Sequence, residues 1–557
     1  MVTMQELREA QYRHARHYLE QLRVANEVYR GGGERVWQSL AQLQGDWDQI
    51  ERGQSWVAQQ PSDAVAADLC SEYPLAGSDV LMLRYTVADR IVWLQAALRA
   101  AVDLDLLRPR CAHLCALGHA HWEAGEVDQA KEYLERAIVL AEDINDPANL
   151  VQAHYELGII AEQQFDLATA NHHAQTCLDL YTDLNDRRGI ASALLLFAGI
   201  RGYEGDFEEA ERYAQESLER FRASGDLSGT ARALARLGSL TGNQRKNTLA
   251  KQYFGESYDI YRKLGDPAGQ GLTLRSLGVC ATFQGNHAEA RKWFEESLAL
   301  YQRLGHQPGI GETHKNLGDN AQYTGAIERA REHYQLALAI FRSLQTYDDV
   351  ANILVSMSST VESLGQVQQA IEYALEARDI YRELGNQRWL AFTLSKLGMF
   401  TSERREFAQA EGHLTEGLAA AEASGDPWVI ASVHFNWSKL EHLRGVMDKA
   451  RDHWCQAFEL AMGIHSPPML VEGIRYLVDI LVSAGQLELA YELAWFVTEH
   501  PSVLEGIKMD EVAVMGQIEP QVSEDLRQAA IARAQSRDLD AYCDLLLAEC
   551  PTWSEKL

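Results

Sequence analysis

Residues 264–271 read LGDPAGQG, and residues 304–311 read LGHQPGIG, forty positions later. Looser copies of this stretch begin at residues 144, 184, 224, 384, 424 and 464. A glycine-rich loop that cradles a phosphate occurs once or twice in a chain, whereas a connection between structural repeats returns in every repeat. The spacing therefore predicts an array of forty-residue repeats that are joined at this stretch.

The residues that follow the glycines argue against a phosphate site. A Walker-type loop ends in Gly-Lys-Ser/Thr, because the lysine and the hydroxyl contact the phosphates and magnesium. Leu272 and Thr273 follow Gly271 instead, and the motif occurs nowhere in the chain. We therefore expect the stretch to be a joint between helices.

The joint has the chemistry of a helix boundary. Asp, Asn, Ser and Thr are good N-cap residues, because their side-chain oxygens accept hydrogen bonds from the unpaired amides of a helix start. The residue before the cap is often Gly or Asn, which suits the left-handed backbone that ends a helix. One register position of the joint carries, in chain order, Asp146, Asp186, Asp226, Asp266, His306, Thr346, Asn386, Asp426 and Ser466, and only the histidine is a poor cap. Each copy therefore predicts the end of one helix and the start of the next.

A second marker keeps the same period. Alanine stands at ten positions forty residues apart, from Ala130 to Ala490, and Leu-Gly pairs begin at 117, 157, 237, 277, 317 and 397. Small residues at fixed positions are expected where two helices approach closely. Apolar residues between the joints follow a helical spacing, without the alternation of a strand. The pattern predicts an all-α solenoid with two helices in each repeat.

The pattern resembles the tetratricopeptide repeat family over residues 111 to about 500. In the fifth unit, the residues at or near the family's signature positions are Leu274, Leu277, Gly278, Ala290, Phe294 and Leu298. The family's usual period is about 34 residues. A period of forty with this joint is more similar to the long repeats of Leu-Gly-Asn proteins, kinesin light chains and bacterial sensor ATPases. The resemblance implies a right-handed α-solenoid of about ten such helix-turn-helix repeats, with helical N- and C-terminal caps.

The two ends of the chain depart from the repeat. We expect an N-terminal helical cap over residues 1–70, a degenerate repeat over 71–110, ten repeats over 111–500 and a C-terminal helical cap over 501–557. The N-terminal cap is expected to hold two long helices, about 5–30 and 34–53, with Gly31, Gly32 and Gly33 between them. After residue 501 the period is lost, and residues 521–549 are expected to form a closing helical pair.

The N-terminal part carries a second, less specific resemblance. The stretches RHARHYLEQL (13–22), DWDQIERGQSW (46–56) and ADLCSEYP (67–74) resemble the segment that links the NTPase part to the repeat arm in bacterial STAND ATPases of the NB-ARC type. This resemblance implies a sensor arm that is separate from its ATPase.

Composition excludes several classes of partner. The 557 residues carry 51 Lys and Arg against 80 Asp and Glu, a formal charge of -29. A surface this acidic repels nucleic acid and anionic lipid, so we expect neither a nucleic-acid nor a membrane partner. The first residues lack a signal-peptide pattern, the apolar runs are too short to span a bilayer, and the eight cysteines form no disulfide framework. We expect a cytoplasmic protein whose cysteines are free thiols.

No set of residues has the spacing of a metal or catalytic site. Among Cys111, His113, Cys115, His119 and His121, the face-sharing Cys111 and His119 lie about 12 Å apart along a helix, too far for one ion, which leaves only a pair of them with ligands from elsewhere. His172 and His173 are adjacent, so they diverge on a helix and are not expected to form a site. No catalytic motif is present. We therefore expect no metal, no cofactor and no enzymatic activity.

The family resemblance also implies which residues meet a partner. In such arrays the concave wall is built mainly from the first helix of each repeat. The expected partner-binding residues are Arg232, Asn243, Arg275, Phe283, Lys315, Asn316, Asp319, Tyr323, Phe435, Asn436 and Lys439. Cations at Arg232, Arg275 and Lys315 would suit an acidic, partly apolar peptide. Three cations on a solvated wall also arise from composition alone, and the sequence leaves both interpretations open.

Two functional hypotheses follow. The first is a non-enzymatic interaction scaffold that binds a protein or peptide, acidic and extended, in its concave groove. The alternative is the ligand- or peptide-sensing arm of a bacterial signalling system, with a STAND ATPase or a transcription regulator as its partner. Neither hypothesis specifies an oligomeric state.

Overall fold

The computed structural model describes residues 3–31, 35–164, 166–244, 246–500 and 505–549. These ranges contain 28 α-helices, one short 3₁₀ turn and no strand, so the prediction of an all-α repeat protein is confirmed. Among the described helices, none is both long and apolar enough to cross a membrane.

Five helices precede the regular repeats. They are α1 (Met4–Gly31), α2 (Arg35–Ala58), α3 (Ala64–Ala76), α4 (Ser78–Arg84) and α5 (Val87–Asp103). The first two are the long helices expected from the sequence, and the second extends further than expected, to Ala58. Gly32 and Gly33 lie outside the described residues. The expected degenerate repeat begins inside α3, and its first helix is broken at Gly77, where an added Cβ would lie 2.7 Å from Leu22 of α1. The missing side chain at Gly77 therefore leaves room for Leu22.

Ten regular helix pairs follow, with a constant period. The first helix of each pair (helix A) is α6 (Leu107–Glu123), α8 (Pro147–Gln163), α10 (Arg187–Tyr203), α12 (Leu227–Asn243), α14 (Pro267–Phe283), α16 (Gln307–Tyr323), α18 (Tyr347–Glu362), α20 (Gln387–Glu403), α22 (Pro427–Leu443) or α24 (Pro467–Ser483). The second (helix B) is α7 (Val127–Asp143), α9 (Leu167–Asp183), α11 (Phe207–Ala223), α13 (Asn247–Leu264), α15 (His287–Leu304), α17 (Ile327–Leu344), α19 (Val367–Glu383), α21 (Phe407–Ser424), α23 (Met447–Gly463) or α25 (Leu487–Glu499). Successive A helices begin forty residues apart, and so do successive B helices. The predicted repeat period is confirmed.

Three helices close the described chain: α26 (Glu505–Ile518), α27 (Glu524–Ser536) and α28 (Leu539–Glu549). The last two are helices within residues 521–549, where a closing helical pair was expected. Cys455 on α23 is disulfide-bonded, so the expectation that all cysteines are free thiols is wrong for this residue. The buried cysteines 70, 111, 115, 177, 280 and 543 are free thiols.

The described residues fall into two compact units. The first comprises the residues up to Asn320 together with Gln335–Asp349, and the second comprises Ala321–Tyr334 together with the residues from Val350 onwards. The first unit holds the N-terminal helices and the first five repeats. The second holds the last four repeats and the C-terminal helices, and the division passes through the sixth repeat.

At six of the nine joint positions, the aspartate or asparagine predicted as an N-cap does cap a helix start. Side-chain oxygens accept hydrogen bonds from first-turn amides at Asp146, Asp186, Asp226, Asp266, Asn386 and Asp426. Ser466 makes no such bond. His306, excluded as a cap on sequence grounds, accepts from the Gly309 amide through Nδ1 at 2.9 Å. Burial lowers the pKa of His306, which favours the neutral ring that this bond requires.

Two glycines of the opening stretch, Gly269 and Gly271, leave space for aromatic rings that pack against them. An added Cβ at Gly269 would lie 2.3 Å from the Tyr261 ring, and one at Gly271 would lie 2.6 Å from the Tyr301 ring. The amides of Ala268 and Gly269 already donate to Asp266. The stretch is therefore a packed and capped joint, and its helix-start amides are used internally.

The periodic small residues mark the contacts between the two helices of a repeat. All ten alanines from Ala130 to Ala490 are 0% exposed. At the Leu-Gly position of the fifth repeat, a Cβ on Gly278 would lie 2.4 Å from the Phe294 ring of helix B. The role proposed for these residues from the sequence is confirmed: they let helix A approach helix B.

Candidate functional site

In the first unit, the expected wall residues include several exposed side chains. Arg232 and Asn243 on α12 are exposed, and the Arg232 guanidinium lies 5.6 Å from the centre of the Phe221 ring. Phe283, the last residue of α14, is 64% exposed. An exposed phenylalanine offers a large apolar surface that a partner can bury.

The other two expected cations are paired within the wall. Arg275 Nη1 lies 2.8 Å from a Glu312 carboxylate oxygen, and Lys315 Nζ lies 3.5 Å from Asp319. Asn316 is buried, and its Nδ2 has no described acceptor. Each of these two cations is therefore paired with a carboxylate, which was not foreseen when the three cations were considered alone.

In the second unit, the expected residues differ in exposure. Tyr323 is 39% exposed, whereas Phe435 is 3% exposed and fills the space above Gly473, so its side chain belongs to the core. Asn436 donates to the Ser395 backbone carbonyl and hydroxyl, which occupies its amide inside the wall. Lys439 Nζ lies 2.5 Å from Glu403. Phe435, Asn436 and Lys439 thus make their contacts within the array.

A row of side chains in the first unit extends the expected set. Tyr203, Asn243 and Phe283 are the last residues of α10, α12 and α14, and all three are exposed. We call these three residues the terminal row. Tyr203, 48% exposed, was missed from the sequence, although it lies forty residues before Asn243. The row places two large aromatic side chains at equivalent ends of A helices.

A cavity of about 340 Å³ lies between the N-terminal helices and the A helices of the first two repeats. The residues of α6 and α8 that face it include Cys115, His119 and Glu156. The opposite side comes from α1, α3, α4 and α5 and the short link before α5. The full lining consists of Arg30, Pro74, Ser78, Asp79, Leu81, Met82, Tyr85, Arg90, Trp93, Leu94, Ala112, Cys115, Ala116, His119, Asn149, Gln152 and Glu156. The volume is in the range of small-molecule sites.

Three ion pairs organise the polar side of the cavity. His119 donates from Nδ1 to Glu156 at 3.0 Å, and its Nε2 lies 3.6 Å from Glu123, which also binds Arg90. Burial alone lowers the pKa of His119, but the two carboxylates outweigh it and raise the pKa to about 10. His119 is therefore a cation at neutral pH.

The helices that roof the cavity also contact a later repeat. Leu83 of α4 packs in one buried cluster with Tyr301, Leu304 and Ile310 from the joint between α15 and α16. Tyr29, Trp37 and Leu40 join this cluster, and the guanidinium of Arg303 lies 4.0 Å from the Trp37 ring centre. Within the first unit, the N-terminal helices thus contact both the first two repeats and the joint between α15 and α16, which we call the fifth joint. They therefore do more than cap one end of the array.

The residues considered for a metal have separate partners. His113 contacts Ser71 at 3.0 Å, and His121 contacts Glu126 and stacks on Tyr133. The Cys111 thiol donates to the Ala137 carbonyl, and the Cys115 thiol donates to that of Asn149. Across the described residues, no group of three or more metal-ligating side chains is placed to hold an ion.

Two histidine pairs link helix A to helix B, and sequence reasoning missed them. His154 and His173 face each other with their Nδ1 atoms 2.9 Å apart, and His434 and His453 do so at 3.0 Å. Other repeats carry Leu and Tyr at these two positions, for example Leu234 and Tyr253. The signal was available, because both pairs share a spacing of nineteen residues, and His314 and His333 repeat it in the sixth unit.

Because of these histidine pairs, we expect the folded protein to lose stability in acid. An Nδ1 to Nδ1 hydrogen bond holds one proton, and burial lowers the pKa of His173 and of His434 to about 4. His172 lowers the pKa of His154 further, whereas Glu142 and Asp166 oppose the shifts. Because the folded pKa lies below the unfolded value of about 6.5, the contribution is complete above that value and is lost as the pH falls towards 4.

The chain supplies the matched variant. His154→Leu with His173→Tyr installs the pair of the fourth repeat, and we expect it to remove about 1 kcal/mol of the acid-dependent loss, a fraction of the full pKa shift because both rings are partly exposed. Thermal unfolding of both proteins across this pH range measures the effect. Parallel curves for wild type and variant would contradict the role of the pair.

Comparison with known proteins supports the repeat assignment. A family model described as tetratricopeptide repeat matches residues 189–263 and 270–343, and a second model with the same description matches residues 114–144. No curated protein sequence matches the chain. The matched segments carry the forty-residue register that continues through the other repeats.

Solved structures of low sequence identity are also similar. One is BtubC from P. vanneervenii, at 18% identity over 39% of this chain and 91% of that chain, with a TM-score of 0.35. Another is the STAND protein PH0952 from Pyrococcus horikoshii, which has a tetratricopeptide repeat sensor. It is 16% identical over 70% of this chain and 55% of that chain, with a TM-score of 0.41. A third is the apo quorum sensor NprR from B. thuringiensis, which is 12% identical over 62% of this chain and 97% of that chain, with a TM-score of 0.42.

Proposed function

We propose that this chain, which carries tetratricopeptide repeats, is a non-enzymatic scaffold that binds a protein or an extended peptide on the concave wall of its A helices. Stacked helical repeats present long concave surfaces that suit such partners. The observation that carries the proposal is the terminal row, because Tyr203 and Phe283 are large, exposed and at equivalent positions.

The side chains near the row suggest how a partner is held. Exposed aromatic side chains supply most of the binding energy in many interfaces, and neighbouring polar groups add specificity. Asn243 lies between the two aromatics in the repeat order, and Arg232 is an exposed cation on the same helix. Arg275 and Lys315 remain part of the proposal as cations that a partner's acidic groups meet alongside Glu312 and Asp319. An acidic segment with apolar residues fits this surface.

A second candidate function is the sensing arm of a bacterial, cytoplasmic signalling system. The cavity beside α6 and α8 favours it, because its roof is formed by helices that also contact the fifth joint. A ligand in the cavity would contact both the repeats and the N-terminal helices. Such a site can alter the packing of these helices if the ligand prefers one arrangement.

Peptide selection tests the scaffold function. A displayed library of random peptides is selected on the full chain, and the enriched peptides are measured by fluorescence anisotropy. We expect Tyr203→Ser with Phe283→Ser to weaken them on the order of tenfold or more, since truncated aromatic anchors cost about 2 kcal/mol. Enrichment of Asp and Glu would identify the acidic partner that Arg232 and its neighbours suit.

The matched control removes an equally exposed apolar side chain elsewhere. Val139→Ser lies on helix B of the first repeat, where Val139 is 59% exposed. Peptides that bind this control like the wild type, but not the row variant, support the proposal. Equal binding to all three proteins, or no enrichment on the wild type, would exclude the terminal row as the binding surface.

A further inference from the structure

The cavity beside the first two repeats has a composition unlike that of the chain as a whole. Its lining holds three cations, Arg30, Arg90 and the protonated His119, against the two carboxylates of Asp79 and Glu156. The chain carries a formal charge of -29. With Glu123, which binds Arg90, the charges at the cavity balance at three of each sign, so the cavity repels an anionic group of a ligand less than the acidic surface does.

Most of these charges already have partners. Arg30 pairs with Asp79, which also accepts from Asn26, and His119 pairs with Glu156. These pairs fix the polar side of the cavity before any ligand enters.

Arg90 retains most of its hydrogen-bonding capacity. Its side chain is 12% exposed, and one terminal nitrogen binds Glu123. Its Nε–H is buried and has no acceptor among the described residues. A guanidinium offers five donors in a planar fork that matches a carboxylate. Arg90 stands where the regular repeats have their buried alanine, so it is a departure from the repeat that the helix packing does not require.

The remaining lining is apolar and partly aromatic. The rings of Tyr85 and Trp93 lie 4.9 Å apart and are tilted by 57°. Leu81, Met82 and Leu94 line the cavity beside them. Such a surface accommodates an apolar or aromatic body attached to the acidic group.

The charge balance favours a monoanion over a phosphate. Glu156 and Asp79 line the cavity, and Glu123 binds Arg90. Three nearby carboxylates repel a dianionic phosphate more strongly than they repel a ligand with a single carboxylate. The planar fork of Arg90 matches the two oxygens of such a carboxylate.

We propose that this cavity binds a small carboxylate with an apolar or aromatic body, with Arg90 as its anchor and Tyr85, Trp93 and Met82 around its body. A free carboxylic acid and the C-terminal residue of a short peptide share this chemistry. The site is distinct from the terminal row, and neither depends on the other.

The experiment measures binding to the full chain by isothermal titration calorimetry at neutral pH. The probes are N-acetylphenylalanine and acetyl-alanyl-alanyl-phenylalanine, each compared with its C-terminal amide. We expect at least one acid to bind and its amide to bind on the order of tenfold more weakly, because the amide loses the charge-assisted bonds to Arg90. Binding of the tripeptide alone identifies a peptide C-terminus, and binding of N-acetylphenylalanine alone identifies a free acid.

Two variants locate the ligand. Arg90→Gln is expected to abolish the difference between acid and amide, whereas Arg444→Gln, which removes a similarly paired arginine in the second unit, is expected to leave it unchanged. If Arg90→Gln fails to fold, Met82→Trp decides, because it fills the cavity and leaves every ion pair in place. We expect this variant to lose binding.

Hydrogen exchange adds a readout that depends on the place of binding. The acid is expected to slow exchange in α4 (Ser78–Arg84), which contributes four residues to the lining. Absence of binding by both acids at millimolar concentration, equal binding of acid and amide, or unchanged binding by the folded Met82→Trp variant would each overturn the proposal.

Discussion

Replacing Glu492 by Ala is expected to detach the two C-terminal helices from the last repeat. Glu492 on α25 is 1% exposed and accepts hydrogen bonds from Arg533, Arg537 and Tyr542 at 2.5, 2.7 and 2.9 Å. Removing one partner of a buried ion pair costs about 3–5 kcal/mol. Because both arginines are about one-third exposed, we expect the lower end of that range, about 3 kcal/mol.

Glu488 provides the matched control for this prediction. It binds the same Arg533 at 2.6 Å, but it is 42% exposed, so Glu488→Ala is expected to cost less than about 1 kcal/mol. Urea unfolding measures both losses, and hydrogen exchange in α27 and α28 shows where they act. Equal losses for the two variants would show that the burial of Glu492 is unimportant.

Replacing Phe294 by Ala is expected to be the most damaging change in the middle of the array. Phe294 on α15 is 1% exposed, and its ring lies against Gly278, which has no side chain to fill the space left behind. Truncation of a buried phenylalanine costs about 3–5 kcal/mol. Repeats are stabilised mainly by their neighbours, so exchange is expected to rise in α14 and α16 as well.

A double-mutant cycle tests the pairing of Phe294 with Gly278 directly. Gly278→Ala alone places a Cβ 2.4 Å from the ring, so it is expected to destabilise the wild type by about 1–3 kcal/mol. In the Phe294→Ala background the same change has room, and we expect it to be neutral or stabilising. Additive effects in the cycle would contradict the close approach of the two helices at this point.

The repeat architecture could be predicted from the sequence because its causes are local and periodic. Asp266 caps the helix that follows it, and Ala290 and Gly278 admit the neighbouring helix of the same repeat. His306 was misjudged because a neutral imidazole can accept a bond, and whether it is neutral depends on burial. The histidine pairs were missed although their spacing was visible, since His173 was considered only beside its neighbour His172 on the same helix.

The expected site was only partly foreseen, because exposure depends on the next repeat. Phe435 and Phe283 both lie on A helices, but Phe435 occupies the space left by Gly473 of the following A helix, whereas Phe283 is the last residue of its helix and remains exposed. Arg275 and Lys315 could be placed on a wall, but their pairing with Glu312 and Asp319 arises from packed neighbours.

The sequence by itself determined the class of fold, the period and the position of nearly every helix, since caps, small residues and apolar spacing act over a few turns of one repeat. Only the tertiary structure decided that Arg30 and Asp79 line one cavity together with His119 and Glu156, and that Trp37 lies beside Arg303. These contacts join residues far apart in the chain and belong to helices outside the period. Their physical cause is the packing of the N-terminal helices against the repeats, and no local pattern in the sequence encodes it.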